Sequence, residues 1–552
     1  MKLFSPRKIG FPQASNFITN FQLSQTEADE KELIILSQPL VPKIMLLIRN
    51  TKERESVRRT KTSTRRKIDS WSLNNYASSI IQVLELFGNV TQDMREEVSS
   101  MQDLATGIQS NFFREEKSLT SLKNVKSLPG HPKSWLDYIV ALKCKQVDNS
   151  TILVLEDGEY LKKLSGTVTN SKTRTLINFL IGNFVISSLQ FLDKRAQNLS
   201  NHLLKRLNGL ESIPRLSKYN YCIKRSERFA IPFSRLIIQH QFNPKVQESV
   251  KNLAQDLLIE KAHKFRNSKW MSPSVKKYAM AKLLRMKIFV GYPKEMLNDT
   301  LMEGLHQRIK IYSDFLSSSL SIEAYHQNDI GPHSRKLDWF MHFNGLDNVK
   351  AGYYYRSNTL IVHLGILNEH SNTHFYSLKH PMYLNFGALG SIISHEISHS
   401  FDQMGICING KGKYSEWFDM DATQYYLQKT RCILQKYKSI LNMNWTHMAN
   451  ENIVDILGFQ TTYEAYSNWI QTHGSEPLLP ELPYTPRQLF WISFAQNYCS
   501  KFSEKGWDLF LKEDEHAPDP IRIMGVQKNS RHFKEDFHCD IDLNETFCDF
   551  DL

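Results

Sequence analysis

The stretch Gly387–Phe401, GALGSIISHEISHSF, leaves this chain few choices of local fold. Leu389, Ile392, Ile393, Ile397 and Phe401 recur at i, i+3, i+4, i+8 and i+12, the stripe of a helix buried along one side. His395 and His399 are four apart, so their imidazoles leave the same side of that helix one turn apart. Two nitrogens need this spacing to share one Zn2+ at about 2.0–2.1 Å. Glu396 is rotated by one position and need not compete for the ion. It is placed to serve as a general base, taking a proton from a coordinated water.

The H-E-x-x-H pattern also arises by chance in a chain with 19 histidines. Catalytic zinc takes three protein ligands and keeps one position open, so a third donor is required. The segment NENIVDILGFQTTYEAY, Asn450–Tyr466, offers one. Glu451 and Asp455 are one helical turn apart, beside the apolar Ile453, Ile456 and Leu457. Glu451 would complete a His2Glu site and Asp455 would accept a hydrogen bond from a ligand histidine. On its own, a Glu–Asp pair on a helix more often marks a solvated face.

At 552 residues the chain is too long for one compact core and implies two or more domains. Helical periodicity begins near Trp71, with YASSIIQVLELFG (Tyr76–Gly88) and RTLINFLIGNFVISSLQFL (Arg174–Leu192). It continues through ESVKNLAQDLLIEKAHKF and SPSVKKYAMAKLLRMKIFVGYP, the latter closing on Gly291 and Pro293. The best strand is NTLIVHLGIL (Asn358–Leu367). The net charge of +12 is uneven, basic before residue 290 and acidic after it. The expected division is therefore an irregular segment at 1–65, a helical lobe at 66–290 and a second lobe at 291–552.

The basic run Arg58–Lys67 has no interleaved aromatic residues and reads as a solvated linker, so no nucleic-acid partner is expected. The most apolar run, Leu33–Ile48, is broken by Pro39, Pro42 and Lys43 too early to span a bilayer, and MKLFSPRKIGF lacks the apolar core of a secretion signal. Six N-x-S/T triplets, at Asn89, Asn149, Asn198, Asn298, Asn444 and Asn544, accompany seven cysteines without a CxxC pair. They lean toward an oxidising, exported setting.

The segments HEISHSFDQMG, ENIVD, QLFWISFAQNYC and HAPDPIRIMGVQKNSRHFKEDFHC occur in the order found in neprilysin-like zinc metallopeptidases, the group that includes endothelin-converting enzyme. VKAGYYYRSNTLIVHLGIL is similar to a further family segment upstream, and weaker similarity reaches back to about residue 70. The resemblance implies a mainly α-helical gluzincin fold of two lobes around a central cavity, the C-terminal lobe carrying the zinc and a small β element. It implies one Zn2+ held by His395, His399 and Glu451, with Glu396 as general base and Asp455 orienting a ligand histidine. His516 matches the histidine that stabilises the oxyanion, Asp402 the carboxylate that positions that histidine, and Arg522 the arginine that holds the substrate backbone. Lys350 and Ala351 fall on the family's substrate-binding segment, and Ile366 and Ile392 on apolar positions near the pocket for the residue after the scissile bond. A disulfide between Cys432 and Cys548 is implied, while Cys222, Cys499 and Cys539 match positions whose partners lie in a segment not recognisable here.

The resemblance thus implies a metalloendopeptidase for small peptides, cutting before hydrophobic residues, in an extracellular or cell-surface protein. Membrane association would need an N-terminal segment absent from this sequence, and nothing in the residues fixes an oligomeric state. The pattern breaks at Lys350, where the family has an asparagine, since a lysine donates but does not accept. It breaks again at Gly352, at Ile456 and Leu457, and at Asn497 and Tyr498. The lysine favours weaker or shifted substrate binding, and with Gly352 and the unrecognised N-terminal segment it carries the alternative reading of a catalytically weak peptide-binding protein with the same fold.

Overall fold

A computed structural model describes residues 76–109, 166–207, 217–226, 229–307, 309–328, 349–367, 375–441, 448–503 and 514–539, with short pieces at 25–26, 33–36, 118–121, 152–155, 506–507, 510–511, 547–548 and 550. Most of the segment 1–65, the basic run at 58–67 and the triplets at Asn149, Asn444 and Asn544 lie outside the described residues. The protein is mainly helical and divides into two compact units, residues 1–216 with 309–329 and residues 217–308 with 330–552.

In the first unit, helix α1 (Tyr76–Phe87) buries Tyr76, Ile80, Val83 and Leu84 against α2 (Gln92–Gln109) and α3 (Thr173–Ser188). Helix α3 buries Phe179, Val185 and Ile186 together with the polar Thr175, Asn178, Asn183 and Ser188, so it is covered on several sides. Four short strands, β1 (Gln25–Thr26), β2 (Leu33–Leu36), β3 (Ser118–Ser121) and β4 (Ile152–Leu155), pair in the order β1-β2-β4-β3. Irregular chain was expected at residues 25–36. The apolar run LIIL instead pairs in parallel with ILVL, residue for residue.

The second unit is built on α4 (Pro244–Asn267), α5 (Pro273–Leu284), α6 (Ser391–Ser398), α7 (Met420–Leu441), α8 (Ala449–His473), α9 (Pro486–Gln496) and α10 (Asp519–Lys528). Their start signals are local. Asn243 accepts from the Lys245 amide and Ser272 from the Val275 amide, each ahead of a proline, and Thr485 and Gln488 form a reciprocal capping box. A boundary near residue 290 does not describe this unit. Val250, Leu253, Ala254 and Leu257 of α4 share one core with Ile393, Ile397, Ile453 and Phe459. Charge sign reports the surface, whereas the core decides membership.

A three-stranded sheet completes the unit, with β5 (Lys287–Gly291), β6 (Ala351–Tyr354) and β7 (Thr359–His363) in the order β5-β7-β6. Strand β7 is buried along its whole length, as the run TLIVH anticipates. Strand β5 is a correction. MKIFVG continues a helical periodicity in sequence, but the helix ends at Leu284 and Lys287–Gly291 pairs in parallel with Thr359–His363. Strand β6 is antiparallel to β7 and forms one edge. The described residues contain no single helix long and apolar enough to cross a membrane.

Candidate metal centre

Helix α6 is entered through a wider π-helical turn at Phe386–Gly390 and leaves through a tighter turn at His399–Phe401. Its stripe residues Leu389, Ile393, Ile397 and Phe401 are 0 % exposed, which fixes the rotation of the helix and the direction of both histidines. Helix α8 lies directly against it. A Cβ on Gly458 would stand 2.6 Å from the His395 amide nitrogen, so this contact tolerates only a hydrogen. The close approach delivers Asp455 and Glu451, one and two turns before Gly458, to the imidazoles. Ile456 and Leu457, which depart from the family pattern, are each 1 % exposed and pack into the core behind them.

Three donor atoms converge. His395 Nε2 lies 3.2 Å from His399 Nε2 and 3.3 Å from Glu451 Oε2, and His399 Nε2 lies 3.4 Å from that oxygen. A tetrahedral ion with ligands at about 2.0–2.1 Å has edges of about 3.3 Å, so the three atoms form one face of such a shell. Glu451 Oε2 is buried, yet none of its neighbours is aligned to hydrogen-bond it. An orphaned carboxylate oxygen facing two imidazoles fits a zinc ion. His516 Nε2 reaches the same oxygen at 3.2 Å, and His395, Glu451 and His516 also form a compact donor group.

Both helical imidazoles are held from behind. His395 Nδ1 bonds Asp455 Oδ1 at 2.8 Å, and Arg522 grips that carboxylate with Nε to Oδ2 at 2.8 Å and Nη2 to Oδ1 at 2.6 Å. His399 Nδ1 bonds Asp402 Oδ2 at 2.9 Å. This corrects the role expected of Asp402, which belongs to His399 and not to His516. The reason is local: Asp402 follows His399 by three residues at the end of the helix, on the same face. His516 is held by Asp514, whose Oδ1 accepts from the His516 amide at 2.8 Å and pairs with Nδ1 at 2.9 Å. Asp514 was missed in sequence, although an aspartate two residues before a histidine is a recognisable local orienting pattern. Tyr355, just after β6, was missed as well. It donates to Asp402 Oδ2 and lies 3.3 Å from His399 Nδ1.

The electrostatics follow from this packing. Burial works against an ionised Glu451, but the His399 charge and the close approach of the His395, His399 and His516 imidazoles outweigh it and hold its carboxyl well below the usual range. Burial likewise opposes an ionised Asp455, and the Arg522 guanidinium overrides it. Desolvation disfavours a charged His516, yet Asp514 and Glu451 bring its pKa up to about 10. Burial and then the Asp402 carboxylate push the Tyr355 phenol far above its ordinary value, so it stays a donor.

The other expected residues are placed less tightly. Glu396 is half-buried and, among the described residues, makes no hydrogen bond or ion pair, although its charge reaches His399. Lys350 is exposed, and its carbonyl accepts from the His363 amide. The alternation of an antiparallel ladder then turns the Ala351 backbone to the open edge of the sheet. Ile366 is 2 % exposed in the core, while Ile392 is half-buried on α6. Arg522 stacks its guanidinium 4.7 Å over Tyr498, and Asn497 Nδ2 donates to the Ala388 carbonyl at 3.0 Å. Cys432 is disulfide-bonded to Cys548, while Cys222, Cys407, Cys499 and Cys539 are free and exposed.

Comparison with known proteins agrees with this fold. Neprilysin-2 of Drosophila melanogaster is 27% identical over 435 residues, covering 73% of this chain and 55% of that protein. Endothelin-converting enzyme 1 of Bos taurus is 26% identical over 492 residues, covering 85% and 63%. The chain therefore spans somewhat over half the length of the curated relatives it matches. The crystal structure of a Mycobacterium tuberculosis zinc metalloprotease in complex with an inhibitor superposes with a TM-score of 0.67 at 17% identity, covering 96% of this chain and 80% of that one. The PepO structure from Lactobacillus rhamnosis gives 0.67 at 18% identity, covering 97% and 81%. Sequence profiles of peptidase family M13 match residues 13–293 and 351–544, and the chain belongs to that family.

Proposed function

We propose that this protein is a zinc-dependent endopeptidase that hydrolyses small peptides on the amino side of hydrophobic residues. The observation that supports it most is the triangle of donor atoms from His395, His399 and Glu451, 3.2–3.4 Å on a side, with each imidazole backed by a buried aspartate. Zinc held there would supply a Lewis acid that makes water a competent nucleophile at neutral pH and polarises the peptide carbonyl.

The chain's own groups do the rest. Glu396 accepts the proton of the attacking water and passes it to the leaving amine. His516, kept charged by Asp514, donates to the oxygen on which negative charge develops. Arg522 spends Nε and Nη2 on Asp455, which leaves Nη1 uncommitted among the described residues and able to donate to a substrate carbonyl. The β6 edge offers Ala351 to an extended peptide backbone. Lys350 gives that peptide a donor without an acceptor, and the half-buried Ile392 favours an apolar side chain after the cut, with Ile366 in the same apolar cluster. An extracellular or cell-surface setting belongs to the same reading, supported by the exposed triplet at Asn89 and the Cys432–Cys548 disulfide.

Zinc stoichiometry of the purified protein, with cleavage of a fluorogenic peptide by wild type and Glu396→Gln, tests the proposal. One zinc per chain in both, with a fall in kcat on the order of 10²–10⁴-fold in the variant, is the expected result. Equal rates for the two proteins would overturn it.

A further inference from the structure

Lys282 on α5 is one of the most completely buried side chains in the protein, 1 % exposed, and the reaction described above does not use it. Its ammonium donates to the Gly405 carbonyl at 2.7 Å and the Ile408 carbonyl at 2.6 Å, and lies 5.6 Å from the Phe401 ring centroid. Those carbonyls belong to the turn that follows Asp402. The amides of Met404 and Gly405, in the same turn, donate to Asp402 Oδ1 at 2.9 and 2.7 Å, while Asp402 Oδ2 holds His399. One continuous path therefore runs from the lysine through the turn to Asp402 and on to an imidazole of the metal centre.

Three features say that the turn needs holding from outside. Gly405 is jammed against the end of α6, where a Cβ would stand 2.4 Å from the His399 carbonyl oxygen and from the Ser400 carbonyl group. Asn358, held at φ 47, ties the same region from the other side. Its Nδ2 donates to the Lys282 carbonyl at 2.9 Å and to the Gly410 carbonyl at 3.4 Å. Finally, burying an ammonium without a hydrogen-bonded carboxylate is costly. Burial brings the Lys282 pKa down to about 7, and only the more distant Asp402 and Cys407 oppose that fall. A methionine or leucine would fill the space at no such cost, so the donor itself has a use.

We infer that Lys282 is a positioning residue for the metal centre: it clamps the turn 405–408 so that Asp402 keeps His399 aimed at the ion. This inference rests on the zinc peptidase reading, because His399 is taken as a ligand. Loss of the clamp frees the turn, lets Asp402 drift from His399 and weakens metal retention, as loss of other outer partners of ligand histidines does.

The test compares Lys282→Met with Ile80→Ala, a truncation of the separate core of the first unit in α1. Zinc affinity is read by competition with a chromogenic chelator, and backbone amide exchange is read at Met404 and Gly405. In Lys282→Met zinc affinity falls about tenfold or more and both amides exchange at least tenfold faster, while Ile80→Ala keeps wild-type affinity despite its loss of stability. Wild-type affinity in a folded Lys282→Met protein, or an equal loss in Ile80→Ala, overturns the inference. If Lys282→Met does not fold, wild type decides. Exchange at Met404 and Gly405 as slow as within α6 supports the clamp, and exchange as fast as in an exposed loop removes it. A wild-type protein that takes up no zinc would sink the peptidase reading, while the same two amides would still report on the clamp.

Discussion

The two sides of the candidate site are held in different ways. On the metal-facing side every orienting group is buried and bonded several times. Asp455, with its side chain 2 % exposed, binds His395 and two nitrogens of Arg522, and Asp402, 0 % exposed, binds His399, Tyr355 and two backbone amides. On the substrate-facing side His516 is 41 % exposed and leans on Asp514 and Glu451, and Lys350 and Glu396 make no ion pair among the described residues. Charge-assisted bonds in a low-dielectric interior fix geometry at a high cost for error. Groups in contact with water are held loosely and can be exchanged without unfolding the protein. The metal side is thus expected to fail through folding and zinc loss, and the substrate side through rate alone.

Asp455→Ala should break the comparison most severely. It strands the Arg522 guanidinium and removes the partner of His395, so a loss of about 3–5 kcal/mol in denaturant unfolding is expected. Zinc affinity should fall about 10–100-fold with it. A variant of near-native stability would show that the buried network is dispensable. His516→Ala belongs to the other side. Its kcat should drop about 10²–10³-fold with zinc content and melting temperature unchanged, and loss of zinc instead would mark His516 as a ligand in place of a donor to substrate. Gly458→Ala sharpens the metal side again. The added methyl meets the His395 amide at 2.6 Å, so calorimetry should register about 1–3 kcal/mol of overpacking strain together with weaker zinc binding. Lys350→Asn should have the smallest effect. Restoring an acceptor at the sheet edge is expected to raise kcat/KM by the equivalent of about 1 kcal/mol without changing stability, and identical kcat/KM in both proteins would remove Lys350 from the substrate path.

Much of the site was legible because helix geometry is local. The stripe Leu389–Phe401 set the rotation of α6, and the four-residue intervals His395–His399 and Glu451–Asp455 set which side chains share a face. Roles for His516, Arg522, Asp402, Lys350, Ala351, Ile366 and Ile392 came only through family resemblance. One of these misdirected the reading, since Asp402 supports His399 and Asp514 supports His516. Lys282 and Tyr355 could not be found from spacing, because Lys282 lies 123 positions from Gly405 and Tyr355 47 positions from Asp402. The strand Lys287–Gly291 was misread for a related reason. A short apolar run after a helix carries no period of its own, and its identity depends on a partner strand far along the chain.

The sequence by itself determined the helices, their start signals and the faces on which the histidines and carboxylates stand, since each depends on hydrogen bonds and side-chain spacing within a few residues. Only the tertiary structure decided which carboxylate serves which histidine, and that Glu451 stands within 3.4 Å of both imidazoles. That convergence depends on the bare hydrogen of Gly458 letting two helices touch, and on buried charges whose partners are set by the packing of the whole unit.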